Sequence, residues 1–559
     1  MKYLHLITSI SLFFCLSLKA EEKVYERVYL HTDKDCYLAG EDVLLKFYTV
    51  NSNFKPSLLS KVGYVEISDT KRPWSQLKVA LEKGQGAGTV KLPAELPTGI
   101  YRLTGYTRYM RNEGEAVFFK KQIAVVNAGQ PFPDPSRFTP VDNYKQLQAF
   151  ENDTLVSMQP ATIKITTGQN SYGNRSKVDL SLLNIPENTV NLVVSVSRND
   201  SIAQLPEINP ASWRKQVTGT FAFSGQWVPE YEGHIIPGRF VPEPKEELLA
   251  NMAFVGNNIR YTNGQINPSN GTINFFTAGI SGRRQLVTTA MPLSYEKLHY
   301  RVDLLSPFDE SLPESLPVLR IYPDKKTLTE RYTGVQLQAK IENDSLENAI
   351  RILNEPSFQP ALSYNLDEYA RFGTLSEILL EFVKTVYVDK VKGKRIIATT
   401  TESSLKTLVL LDGIPIYDHE DILRYNPANI KTIDIYTGTY AFGNEVFGNI
   451  VSFITYEGNL PFFRLSDESQ LIDYDFPRLP STFEMPDYSS DRIRNSDKPD
   501  FRHTLYWNPF VETANGQPVN LSFYTSDLCG EFKVTVEGIT DTGEIIRGKA
   551  YFRVNRKVR

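Results

Sequence analysis

Asp418-His-Glu-Asp421, with Asp412 a short way upstream, is the densest set of metal-type ligands in the chain. A metal needs such groups to converge, but consecutive residues point different ways on a strand and do not face one another on a helix. Standing just before Ile422 and Leu423, they read more simply as the cap and dipole complement of a short helix. The remaining histidines after His5, namely His31, His234, His299 and His503, show no spacing characteristic of zinc sites. No Gly-rich phosphate loop, nucleophile elbow or zinc-protease motif occurs. No catalytic residue, cofactor site or metal ligand is therefore assigned, and the expectation is a non-enzymatic protein. A hydrolase triad recognised by geometry alone would escape this reading, so a cryptic hydrolase stays open as an alternative.

Three short segments carry a different chemistry: Asn152-Asp-Thr154-Leu, Asn199-Asp-Ser201-Ile and Asn343-Asp-Ser345-Leu. Each is explained by a polar turn between strands. The shared Asp-[Ser/Thr]-apolar pattern resembles the O-glycosylation acceptor of exported Bacteroidota proteins, which makes Thr154, Ser201 and Ser345 candidate acceptors. Bulky glycans belong on exposed loops, where such turns lie.

Elements long enough to position any site must come from 559 residues, enough for about three to five domains. A 12% aromatic share with 33 Gly and 33 Pro favours pleated strands joined by many turns, hence a mainly β fold. Residues 1–20 read as a secretory signal, with Lys2, an apolar stretch from Leu6 to Leu18, and Ala20 at the cleavage position. That stretch is too short for a membrane span. Phe14 precedes Cys15 where a lipobox needs a small residue, so simple cleavage is expected, leaving Cys36 and Cys529. Without Lys2 and Lys19, 59 basic residues face 65 acidic ones, a formal charge of −6 with no basic run, which argues against nucleic acid as a partner. No later segment has 18 uninterrupted apolar residues, so no transmembrane helix is expected in the mature chain.

Short strands at 8–12 residue spacing over 21–128 give the pattern of an immunoglobulin-like sandwich. Val28-Tyr-Leu-His-Thr-Asp-Lys34, Tyr37, Gly40 and the strand from Val43, then Gly84 to Gly88, Leu92-Pro93 and Pro97-Thr-Gly-Ile-Tyr101, resemble a macroglobulin-type domain. Cys529-Gly-Glu-Phe532 is similar to the macroglobulin thioester motif, but Phe532 stands where that chemistry needs a Gln carbonyl, so no thioester-linked substrate is expected. Thr32, Tyr37, Val43, Leu45 and Phe47 have counterparts at Thr167, Tyr172, Val178, Leu180 and Leu182 with the same spacings, a second copy over 158–232 or beyond. Arg175 replaces Gly40, so a different turn is expected there. A linker over 129–157 separates the copies, and a further β domain is read over 233–317. Fewer than 60 residues are too few for a sandwich, so 501–559 is expected to complete one begun in 318–353, around an insertion.

Within that insertion, Thr374-Leu-Ser-Glu377 is a capping box, after which Leu375, Ile378, Leu379, Phe382 and Val386 recur at helical spacing. Asp412-Gly413 reads as a hairpin turn between apolar runs. Val409-Leu-Leu-Asp-Gly-Ile-Pro415, Ile430-Lys-Thr-Ile-Asp-Ile435, Phe442-Gly443 and Gly448-Asn-Ile-Val-Ser-Phe-Ile-Thr455 closely resemble, in order, the plug domain of TonB-dependent outer-membrane receptors. The plug-like motif residues are thus Asp412, Gly413, Pro415, Gly443, Gly448 and Asn449, within a small α/β domain over 354–460. Only 104 residues follow Thr455, beginning with an irregular linker over 461–500, so no transmembrane barrel is encoded after it. The expectation is an envelope binding or scaffold protein, periplasmic or associated with the outer membrane. Its plug-like domain would meet an outer-membrane protein or transport component, with a glycan as a further ligand class. A macroglobulin-like protease binder without thioester is the other alternative, with 466–500 as its bait segment.

Overall fold

The structure, a computed structural model, describes residues 25–556 apart from 131–135, 142–162, 200–201, 204, 206–207, 209, 220, 293–299, 323–326, 337–358, 401–404, 443–444, 482 and 515. The signal-peptide reading, Thr154, Ser201, Ser345 and Gly443 lie outside the described residues. The chain is mainly β, and its strands assemble into three two-sheet sandwiches and one α/β unit. Among the described residues no helix is long and apolar enough to cross a membrane.

In the first sandwich, Glu26–Thr32, Asp42–Asn51 and Gln85–Lys91 form one sheet. Cys36–Leu38, Phe119–Val126, Gly99–Tyr106, Val62–Ser68 and Pro73–Ala80 form the other. Alternation along Asp42–Asn51 sends Val43, Leu45 and Phe47 into the core between the sheets. Lys46 and Tyr48 consequently face the other way.

The second sandwich departs from the expected pairing. Lys164–Thr167 and Lys177–Leu183 pair with Val519–Tyr524. Thr189–Arg198 lies between Thr504–Val511 and Gly530–Thr540, with Ile545–Val554 and Ser171–Tyr172 beyond. The C-terminal segment therefore completes the sandwich begun at 163, not one begun in 318–353. The reason is burial: Val193 and Val194 are sealed on opposite faces, so this strand needs a partner on each side and a layer over each face. Of the stretch 318–353, Leu319–Ile321 pairs with Phe138–Pro140, inside the expected linker 129–157, and 327–336 is helical.

The repeated opening folds alike in both copies. Thr32 and Thr167 each donate to the carbonyl two residues on, those of Lys34 and Gln169, at 2.8 and 2.9 Å. Gly40 and Arg175 both take left-handed backbone, φ +88° and +49°, so the turn expected to differ is kept.

The third sandwich joins Gln265–Ile266, Ile273–Phe276, Ile235–Val241 and Arg301–Leu304 to a second sheet of Tyr261–Asn263, Leu248–Phe254, Arg283–Pro292 and Ser469–Asp475. Its edge strand thus comes from the stretch 461–500, read as an irregular linker. An edge strand with one face in water keeps only Ile472 and Tyr474 packed on the core, and so looks polar in sequence.

The α/β unit has the sheet order Leu362–Asn365, Ile430–Phe442, Glu445–Thr455, Thr407–Leu411, Ile414–Pro415, beside the hairpin Val386–Val391 and Lys394–Thr399. The capping box at Thr374 and Glu377 starts the helix Leu375–Glu381. The helix stops there, so Val386 packs from the hairpin instead of from the helix face. This unit's core runs on into Ala253 and Val287 of the third sandwich. The arrangement is nested: the α/β unit interrupts the third sandwich, which itself interrupts the second.

Candidate functional site

The outer face of the first sandwich's three-stranded sheet lies against the five-stranded sheet of the second. Strand alternation puts Tyr29, His31, Lys46 and Tyr48 on one side of this contact. On the other side, Leu192, Val194 and Val196 fill the second core, which turns Val193 and Ser195 outward with Glu537 beside them. His31 Nδ1 lies 2.6 Å from Glu537 Oε2, and its Nε2 lies 3.2 Å from Ser195 Oγ. Tyr29 donates to the same carboxylate at 3.0 Å, Arg547 pairs with it at 2.9 Å, and the His31 ring stacks on Trp507. Burial opposes ionisation of Glu537, but its contacts with His31 and Arg547 prevail and bring its carboxyl down to about 2.

Serine, imidazole and carboxylate in that order have the connectivity of a hydrolytic triad. The setting is different. All three are buried, and the void beside His31 and Glu537 measures about 30 Å³, room for a water or two. Ser195 is buried at the contact, and the arrangement joins the two sheets. A wider cleft of about 580 Å³ is lined by Ala39, Leu92, Pro93, Tyr332 and Val335, away from this chain of groups.

Two more polar clusters secure the first sandwich to its neighbours. Glu230 and His234 meet at 2.9 Å, Tyr64 donates to Glu230 at 2.8 Å, and His234 Nε2 reaches Tyr474 at 2.8 Å, tying the first sandwich to the third. Burial pushes the His234 imidazole down, against the pull of Glu230. In the other cluster Arg331 grips Glu41 at 2.8 and 2.9 Å and the Cys36 carbonyl at 2.6 Å, while Thr504 donates to Asp33 at 2.6 Å. His503 beside them is held well below the ordinary imidazole range by burial and by Arg331.

The plug-like motif residues serve the architecture of the α/β unit. The buried Asp412 carboxylate accepts from Thr455 N and Oγ1, both at 2.7 Å, and from Leu460 N at 2.8 Å. Gly413, at φ +81°, packs so closely on the third sandwich that a Cβ would stand 2.6 Å from the Phe254 carbonyl oxygen. Pro415 pairs with Leu410, and Gly448 N donates to the Lys406 carbonyl at 3.0 Å. Asn449 joins Gly438 N to Thr399 Oγ1, binding the long hairpin to the short one. Asp418 is the N-cap of the helix His419–Leu423, Glu420 pairs with Arg395 at 2.7 Å, and His419 Nδ1 accepts from Ile397 N. These side chains diverge, as expected of a capped helix. Cys529 is half-buried, and Phe532 lies in the second core, stacked on Phe552.

On the α/β unit, Tyr369 and Phe372 reach the surface over the partly buried Tyr364 and Phe382. Tyr369 and Phe372 pack on Phe382 at 4.8 and 5.5 Å between centroids, Tyr364 adjoins Tyr369, and the side chain of Leu380 nearby is 77% exposed. Sequence reasoning missed this patch and the Ser195–His31–Glu537 chain alike. The latter spans 506 residues between His31 and Glu537, so no local motif exists to find it.

No family model matches the chain, and no curated protein matches it. Among solved structures, the native conformation of E. coli alpha-2-macroglobulin aligns with 95% of this chain and 40% of that one, at 11% identity and TM-score 0.24. The elastase-activated form of E. coli alpha-2-macroglobulin aligns with 95% of this chain and 44% of that one, at 9% identity and TM-score 0.25. The E. coli adhesin FdeC aligns with 48% of this chain and 59% of that one, at 12% identity and TM-score 0.14. The chain spans about two fifths of the length of the macroglobulins it matches. Similarity this low says nothing of the chain's activity.

Proposed function

We propose that the chain is an exported, non-enzymatic scaffold of a bacterial cell envelope of the Bacteroidota type. Its plug-like unit docks on an outer-membrane barrel or transport component, and its macroglobulin-like sandwiches hold that unit in place. The observation that carries this reading is the aromatic patch of Tyr364, Tyr369, Phe372 and Phe382 with Leu380. It lies on the one domain whose sequence resembles a receptor plug, and it presents Tyr369, Phe372 and Leu380 to solvent over the partly buried Tyr364 and Phe382, as interaction surfaces commonly present aromatic and apolar side chains. The sandwiches support the reading by being held to one another through buried polar contacts, as a rigid carrier should be.

Co-purification from detergent-solubilised envelopes tests it. The wild-type chain should recover a β-barrel protein, and Leu380→Asp, a change on an exposed helix face, should lose that protein while the chain stays folded. Identical partners from wild type, Leu380→Asp and a deletion of 354–460 would overturn the reading. The protease-binder alternative needs an exposed cleavable segment. Ser469–Asp475 is fixed in a sheet, Phe476 N and Arg478 N donate to the Gly282 and Lys78 carbonyls, and Tyr488 donates to Asp500 at 2.9 Å, so that purpose would fall to the stretch between Arg478 and Tyr488.

A further inference from the structure

Lys46 is fully buried in the contact between the first and second sandwiches. Its Nζ donates to Gln85 Oε1 at 2.8 Å and to Asn191 Oδ1 at 3.2 Å, and lies 3.6 Å from the centre of the Phe510 ring. Among the described residues no carboxylate forms an ion pair with it. An ammonium taken out of water without a counter-ion gives up its proton. Burial accordingly pushes the Lys46 amine well below the ordinary lysine range. That direction favours the free amine, with a nucleophilic lone pair, beside the carboxamide of Asn191. Both are held on packed strands, so the encounter entropy of their reaction is already met.

We infer that Lys46 and Asn191 react to form an amide cross-link between the first and second sandwiches. The Nζ lone pair adds to Cγ of Asn191, and the carbonyl π pair moves onto Oδ1. When that pair returns, the bond from Cγ to Nδ2 breaks. Nδ2 takes up the proton that Nζ loses and leaves as ammonia. One carbon–nitrogen bond forms, one breaks, and nothing is oxidised or reduced. Gln85 accepts one hydrogen of the amine and so turns the lone pair away from itself. Tyr48, two residues along the same strand face, has its ring 5.1 Å from Nζ and a buried hydroxyl without a hydrogen-bond partner among the described residues. A register shift between Thr189 and Asn191 bends the strand locally, as a bulge does where it re-aims a side chain. The 3.2 Å contact, Nζ donating to Oδ1, is that of the reactants before Nζ turns its lone pair to Cγ.

The test is the mass of the intact, denatured chain expressed as residues 21–559, without the signal segment, with tandem mass spectrometry of its peptides. The wild type should be lighter than its sequence by one ammonia and give a branched peptide joining Lys46 to Asn191. Lys46→Arg and Asn191→Ala should each keep the full sequence mass. Because the wild-type measurement needs no variant to fold, it decides alone. A wild-type chain at its full sequence mass, or a branch at Gln85 instead of Asn191, overturns the inference.

Discussion

Arg175 holds a left-handed backbone position that its counterpart Gly40 fills without a side chain. The strain is offset by what the guanidinium reaches. It pairs with Asp527 at 2.7 and 2.8 Å and donates to the carbonyls of Arg494, Ser496 and Lys498. Arg175→Ala keeps the strain and loses every one of these bonds, so a cost of about 3 kcal/mol in denaturant unfolding is expected. A loss within error of zero would show the network to be idle. His503 and His234 argue a second prediction at this scale. Burial lowers both in the fold below the value of about 6.5 that imidazole has in an unfolded chain, His503 the further. As pH falls from 7 to 5 the unfolded state binds more protons than the folded one, so stability declines by up to about 1.4 kcal/mol per pH unit for each histidine. Glu537 acts later: its contribution is complete above the unfolded carboxyl value and is lost as pH falls toward about 2. His503→Leu should flatten the decline between pH 7 and 5 in denaturant titrations. An unchanged slope would refute the assignment.

Among the elements, the Asp412-Gly413 turn joins the α/β unit to the third sandwich, with Gly256 N donating to the Asp412 carbonyl at 2.9 Å. Gly413→Ala would place a methyl group against three carbonyl oxygens, of Phe254, Gly256 and Asn258, in a backbone region that disfavours it. The expected cost is about 1–3 kcal/mol, read as a lower unfolding midpoint of the α/β unit. That turn was legible because its chemistry is local: two adjacent residue types dictate it. The capping box at Thr374 and the alternation of Val178 to Leu182 were legible for the same reason. The neighbours of Thr189–Arg198 were not. Alternation tells which side of a strand is buried but not which strand lies beside it, and here the partners stand more than 300 residues away. Ser469–Asp475 escaped because an edge strand carries half the apolar signal. The triad-like contact escaped for want of any local signal, since Ser195 and Glu537 have only ordinary strand neighbours in sequence.

For the whole molecule, nesting makes distant segments depend on one another. The second sandwich takes Val519–Tyr524, Thr504–Val511, Gly530–Thr540 and Ile545–Val554 from the far end of the chain. Its core sets Val178, Leu180 and Val194 from one segment against Phe523, Phe532, Val534 and Ile546 from the other. Neither half has two complete sheets to close over an apolar layer, so neither is stable alone. Ending the chain at Asp500 should therefore unfold 163–198, and the contact with the first sandwich should go with it, because Glu537 and Arg547 leave. The first sandwich keeps its own two sheets, Val43, Leu45 and Phe47 between them, and should stay folded. Hydrogen exchange measures both outcomes in one experiment: protection lost across 163–198 and retained across 62–68 and 99–106. Protection surviving at 163–198 would mean that the second sandwich closes without its C-terminal strands, and the dependence argued from the sheet order would fail.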